Sequence, residues 1–211
     1  MKTLGLATVV MMALASSALA WDFDPPPWRG GPLSVHVEWN FDASGTAPSL
    51  FATVGATGQL APVQPVLTLT GGTAVWGSGA WTIIQSADFR LDIPNWIDTE
   101  PLKLMHIQWH FTGGTAAVLN SVTAYDGPDI WQVGSHPGES ITHSIWGPPD
   151  PLQTTIDDVV IVPNPDWEII YFTMLGSGIF EQVVVDTISI PEPATITLLA
   201  MGGLLAMRRQ R

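Results

Sequence analysis

Hydrophobicity through the central part of the chain alternates with a period of two. In Val35–Phe41, residues Val35, Val37, Trp39 and Phe41 fall on one face of an extended segment, and His36, Glu38 and Asn40 on the other. Met105–Phe111 repeats the pattern, with Met105, Ile107, Trp109 and Phe111 opposed to His106, Gln108 and His110. Successive side chains of a strand point to opposite faces, so both segments predict half-buried antiparallel strands. Runs rich in β-branched and aromatic residues at 66–70, 81–85, 89–93, 118–125, 156–162, 168–175 and 180–190 predict further strands. Thr70–Thr73, Thr112–Thr115, Asp126–Gly127 and Gly176–Gly178 carry turn chemistry between them. No body segment longer than about ten residues keeps a helical period. Short strands at such spacings predict an all-β domain, an antiparallel two-sheet sandwich of jelly-roll-like type. Irregular stretches are expected at 22–32, 43–65 and 127–152.

Both ends break the alternation. Lys2, the apolar stretch Leu4–Leu14 and the small residues Ala18 and Ala20 before Trp21 have the charge, length and cleavage chemistry of a secretory signal peptide. At the other end Pro191, Glu192 and Pro193 precede an apolar stretch, Ala194–Met207, and a basic terminus with Arg208, Arg209 and Arg211. Each apolar stretch predicts a short helix. The fourteen-residue one reaches about 21 Å, short of the roughly 30 Å hydrocarbon core, so it predicts transient membrane contact rather than a permanent anchor. The arginines favour the cytoplasmic side. The chain thus divides into a signal peptide at 1–20, a β-sandwich domain at 21–190 and a C-terminal signal at 191–211.

This tail closely resembles the PEP-CTERM sorting signal of Gram-negative bacteria, whose carriers are exported and handled by a membrane-embedded exosortase. The resemblance implies an exosortase and the secretion machinery as partners, and a destination in the cell envelope or extracellular matrix. The body is similar to exported PEP-CTERM proteins of unknown function in Pro26–Gly30, Ser144–Pro151, Asn164–Glu168 and Val184–Ile188. That second resemblance carries over no catalytic residue. The resemblance of the tail implies exopolysaccharide-producing bacteria as the setting.

Charge changes the picture once the ends are set aside. The chain has a formal charge of −12, but four of its seven basic residues lie in the terminal segments. The body keeps only Arg29, Arg90 and Lys103 against eighteen acidic residues, a formal charge of −15. Such a surface repels phosphate backbones, which argues against nucleic acid as a partner and favours cations or neutral polymers. The chain has no cysteine, which excludes disulfides and thiol catalysis in an oxidising destination.

Candidate chemistry follows from residue type and spacing. His106 and His110 share a strand face but stand about 13 Å apart, too far to bind one metal, and read as solvated strand-face histidines. Ser78 and Ser177 sit between glycines without the strand-to-helix context of a nucleophile elbow. The acidic pairs Asp157 with Asp158, Asp98 with Glu100, and Asp166 with Glu168 have the composition of a glycosidase pair, as do pairs in any acidic protein. No enzyme activity is expected. No cofactor is required, with structural calcium as the one candidate: Asp22, Asp24, Asp126 and Asp129 offer hard oxygens in loops. Asp186 interrupts the apolar run Val183–Ile190 and must face water, pair with a donor or touch a metal.

The ten tryptophans point toward a ligand or toward loop packing. Trp39 and Trp109 belong to core faces by alternation. Trp28, Trp96, Trp146 and Trp167 sit beside prolines or glycines, where an indole either stacks on a sugar ring or packs on the neighbouring proline. The expected function is a non-catalytic structural or adhesive one in the envelope or matrix. The alternative is a carbohydrate-binding module that uses these four tryptophans on exopolysaccharide.

Overall fold

The computed structural model describes residues 24–42, 45–55, 59–150 and 152–191, with the backbone alone at 146–150 and 152. The expected signal-peptide helix and C-terminal helix, with Ala18, Ala20, Trp21, Asp22, Glu192, Pro193, Arg208, Arg209 and Arg211, lie outside the described residues. Within them the fold is all-β and antiparallel, with no helix. The strands are β1 (Ser34–Trp39), β2 (Leu50–Val54), β3 (Gln59–Leu60), β4 (Val66–Gly77), β5 (Ala80–Pro94), β6 (Trp96–Ile97) and β7 (Leu102–Gly113). They continue with β8 (Ala116–Asp126), β9 (Asp129–Gln132), β10 (Ser140–Asp150), β11 (Leu152–Ile161), β12 (Trp167–Leu175) and β13 (Gly178–Ile190).

One curled eleven-stranded sheet holds all but β3 and β6, which pair with each other. Its strands run β10-β11-β7-β13-β5-β12-β8-β9, with β1 and β2 added beside β13 and β4 beside β5. The curl is made where β13 changes partner. Gly178–Phe180 pair with Trp81–Ile83 of β5, a register irregularity follows at 180–182, and residues 183–188 then pair with β1. A bulge bends its strand and raises the local twist, which turns one half of the sheet over the other. Sequence alternation implies two separate sheets; the β5–β13 hydrogen bonds join the two halves instead.

The alternating faces meet in one core. Val35, Val37, Trp39, Met105, Ile107, Trp109, Val183 and Val185 come from one half, and Phe89, Leu91, Ile93, Val122, Ile170, Phe172 and Met174 from the other. The Trp109 and Phe172 rings meet across the halves at 4.4 Å. Phe41, Phe89, Phe172 and Phe180 form a contiguous aromatic group.

Several expectations change in detail. Thr70–Thr73 is not a hairpin turn. β4 runs through it by register shifts, because Gly72 adopts φ 77° and a Cβ there would lie 2.2 Å from the Ser86 carbonyl oxygen. Strands β2, β9 and β10 occupy stretches expected to be irregular. β10 hides because it is an edge strand: Ile141 and Ile145 point outward, the latter 79% exposed, so its alternation marks no core face.

Candidate functional site

Polar side chains concentrate in two places, the outer face of the β1-β13-β7 half and the end of the core where β13 runs out at Ile190. The outer face differs from the solvated surface that alternation implies. His106, Gln108 and His110 are all buried, as are Glu38, Gln182 and Asp186. The segment leading into β1 helps to cover them: the Gln108 side-chain amide exchanges hydrogen bonds with the Asp24 backbone at 3.1 and 3.2 Å. Arg29 anchors the same segment through a bidentate pair with Asp186, whose other partner is His36 Nδ1 at 2.9 Å. Asp186 thus meets its need for a partner through protein donors. Burial opposes charge on His36, but the Asp186 and Glu38 carboxylates outweigh it and raise its pKa.

His110 shows the opposite balance on the same face. Its Nδ1 lies 3.1 Å from the Thr154 hydroxyl, and burial pushes its pKa down to about 4, with Glu38 pulling weakly upward. In the unfolded chain His110 titrates near 6.5. Between these values the unfolded chain binds a proton that the folded chain refuses, so stability falls as pH falls through the window, by roughly 3 kcal/mol in full. The carboxyl of Glu168, raised to about 7, works in the opposite sense over much of this range, so the readable quantity is a difference between proteins. Urea midpoints of wild type and His110→Gln are expected to diverge steadily from pH 7 to pH 4, with the variant losing less. Parallel curves would contradict the assignment.

At the end of the core the inner faces turn polar. One step beyond Met105 on β7 is Lys103, and one step beyond Ile170 on β12 is Glu168. Beyond Ile93 on β5 lies Asn95, and beyond Val185 on β13 lie Thr187 and Ser189. All are buried. Asn95 joins the halves: its Nδ2 donates to Glu168 Oε1, and its Oδ1 accepts from the Thr187 hydroxyl at 2.7 Å. Asn164 Nδ2 and the Ser189 hydroxyl both donate to Asp98, at 2.7 Å each. Among the described residues, neither Lys103 Nζ nor Glu168 Oε2 has a hydrogen-bond partner. Burial lowers Lys103 to about 8 against the pull of Glu168, Asp98 and Asp166, and raises Glu168 to about 7 against Lys103 and Asn95. Sequence reasoning misses this layer because two of its runs stop at Met105 and Ile93. Extending the same alternation one step puts Lys103 and Asn95 on the inner face, while Glu168 already opens the predicted strand 168–175.

Three of the loop tryptophans belong to this end of the molecule, each half-buried, two of them with side-chain contacts of their own. Trp96 donates to the Ser34 carbonyl oxygen at 3.2 Å and packs on the core. Trp167 stacks on Tyr125 with ring centres 3.9 Å apart. Trp28 lies in the turn before β1, where its carbonyl accepts from Gly31 N–H at 2.9 Å. The backbone of Trp146 is in register with Thr154, itself opposite His110, seven residues along β7 from Lys103 and so about 23 Å from this end. The four therefore do not share one surface.

A half-open cleft of about 270 Å³ also lies at this end, lined by Asp126, Asp129, Ile130, Trp131, His136 and Pro163. Trp131 is held by an Nε1 bond of 2.8 Å to Glu139 and an edge contact with His136. Burial opposes charge on Glu139, but donors from His136, Trp131, Gly134 and Val162 outweigh it and lower its pKa. Asp126 is raised by burial and by the charges of Asp166 and Asp129. Among the described residues no group of three or more His, Asp or Glu side chains is arranged to hold a metal ion. No protein-family model and no curated protein matches the chain.

Proposed function

We propose that the chain is an exported, non-catalytic structural or adhesive protein of the cell envelope or extracellular matrix, sorted through residues 191–211 by an exosortase-type system. The observation that carries this reading is the path of β13. It is bonded to β7 along its length and to β1 over 183–188, and it ends at Ile190, immediately before the Pro191–Pro193 motif. A pull on the tail would be shared as shear by two ladders at the centre of one half of the sheet, the geometry suited to a load-bearing attachment. The strand order adds a finer proposal. β11-β7-β13-β1 facing β9-β8-β12-β5 interleaves successive strands between two layers as a jelly roll does.

Protein recovered from the surface of the native host is expected to lack residues 1–20 and the segment after Pro193 by mass spectrometry. Surface protein that retains Arg208, Arg209 and Arg211 would contradict processing of the tail. The Trp131 cleft favours a second reading, binding of an exopolysaccharide, since an aromatic face beside carboxylates is the chemistry that recognises sugars. The half-buried, internally engaged state of Trp96 and Trp167 supports the structural reading.

A further inference from the structure

From the arrangement of Lys103, Asn95, Glu168 and Thr187 we propose that the folded chain forms an internal amide cross-link between Lys103 Nζ and Asn95 Cγ. A lysine with no hydrogen-bond partner among the described residues and no exposure is a costly element of a core, and here it shares one buried polar layer with Asn95, Glu168 and Thr187. Lys103 pairs with Ser189 across the β7–β13 ladder, so Thr187 is its diagonal neighbour on the same inner face, within reach of a long side chain. The Thr187 hydroxyl donates to the Asn95 carbonyl oxygen, which polarises it and would stabilise an oxyanion. Glu168 Oε1 accepts from the Asn95 amide nitrogen, the group that must leave, while Oε2 is unpartnered.

The step balances within these residues. Neutral Lys103 Nζ attacks Asn95 Cγ, and the carbonyl electron pair moves onto Oδ1. Glu168, as the neutral acid, protonates Nδ2 and takes a proton from the attacking nitrogen. The Cγ–Nδ2 bond breaks as the new Cγ–Nζ bond settles, and ammonia departs. No oxidant, metal or cofactor is consumed. Burial favours the needed protonation states, since it disfavours charge on both groups, lowering the amine and raising the carboxyl. The product removes the unpartnered ammonium from the core and closes the strand ends beside the exit of β13. It serves the stapling role that disulfides serve elsewhere, in a chain without cysteine.

Mass spectrometry of the denatured full-length chain reads the reaction directly. The chain is expected to be about 17 Da lighter than its sequence, the mass of one ammonia lost per amide formed. Asp98 and Glu100 lie between the partners, so cleavage at acidic residues should release a branched peptide joining the Asn95 and Lys103 segments. The near-isosteric Glu168→Gln variant, which keeps a partner for Asn95 and can be checked for native sheet by circular dichroism, is expected to show the full sequence mass. Folded wild-type protein that keeps its full mass after prolonged incubation at neutral pH overturns the proposal. A cross-link from Lys103 to Asn164 or Asp98, or one that persists in Glu168→Gln, overturns it equally.

Discussion

Replacing Arg29 with methionine is expected to destabilise the fold by about 3–5 kcal/mol, the range found when one partner of a buried ion pair is removed. The effect is large because of what stays behind. Asp186 is fully buried in the middle of β13, and the guanidinium of Arg29 engages both of its oxygens. Without it the carboxylate keeps, among the described residues, His36, and the segment from Asp24 loses the ion pair that fastens it over Gln108. The double variant Arg29→Met with Asp186→Asn is expected to recover a substantial part of the loss, because it no longer buries a charge. Urea unfolding of the three proteins at pH 7 decides the matter. A change below about 1 kcal/mol in Arg29→Met, the range of an exposed pair, would show that the cover is dispensable.

Trp109→Ala is expected to cost a similar amount, about 3–5 kcal/mol, for a different reason. The indole is fully buried, contacts Phe172 across the halves of the sheet, and donates from Nε1 to Asp157 at 2.6 Å. Alanine leaves a cavity between the halves and removes a donor from a buried carboxylate. Trp109→Phe separates the two contributions: it retains most of the ring volume and loses the hydrogen bond, so about 1–3 kcal/mol is expected. Equal losses in the two variants would place the energy in the hydrogen bond rather than in the packing between the halves.

Alternation made the inner faces legible but left the outer ones obscure. Val35, Val37 and Trp39 are buried where a period of two puts them, and so are Met105, Ile107, Trp109 and Phe111. His106, Gln108 and His110 read as solvent-facing by the same rule, yet they too are buried. Over Gln108 the cover is a contact across 84 positions from Asp24, and the same segment reaches Asp186 across 157 positions from Arg29. Local periodicity contains no trace of such covers. The joining of the halves is hidden in the same way, because a partner change on β13 at 180–183 depends on where β5 and β1 end. Asp186 was conspicuous in the sequence as a charge in an apolar run, but its partners were not. Lys103 and Asn95 are within reach of the pattern, since each extends an inner face by one step, and Glu168 opens a predicted strand. Their meeting in one layer is not legible locally, because a polar residue at the end of an apolar run resembles the start of a loop.

The aromatic residues at the tail-proximal end have a structural role in this reading. Trp96 and Trp167 are engaged by Ser34 and Tyr125, and Trp131 by Glu139 and His136. Indoles held this way need no ligand to be ordered. Titrating exopolysaccharide from the native host into the purified protein while following tryptophan fluorescence tests this claim. The emission spectrum is expected not to change across the titration, for the wild type and for Trp131→Ala alike. A saturable change in the wild type that disappears in a folded Trp131→Ala variant would contradict it and make the cleft a glycan site.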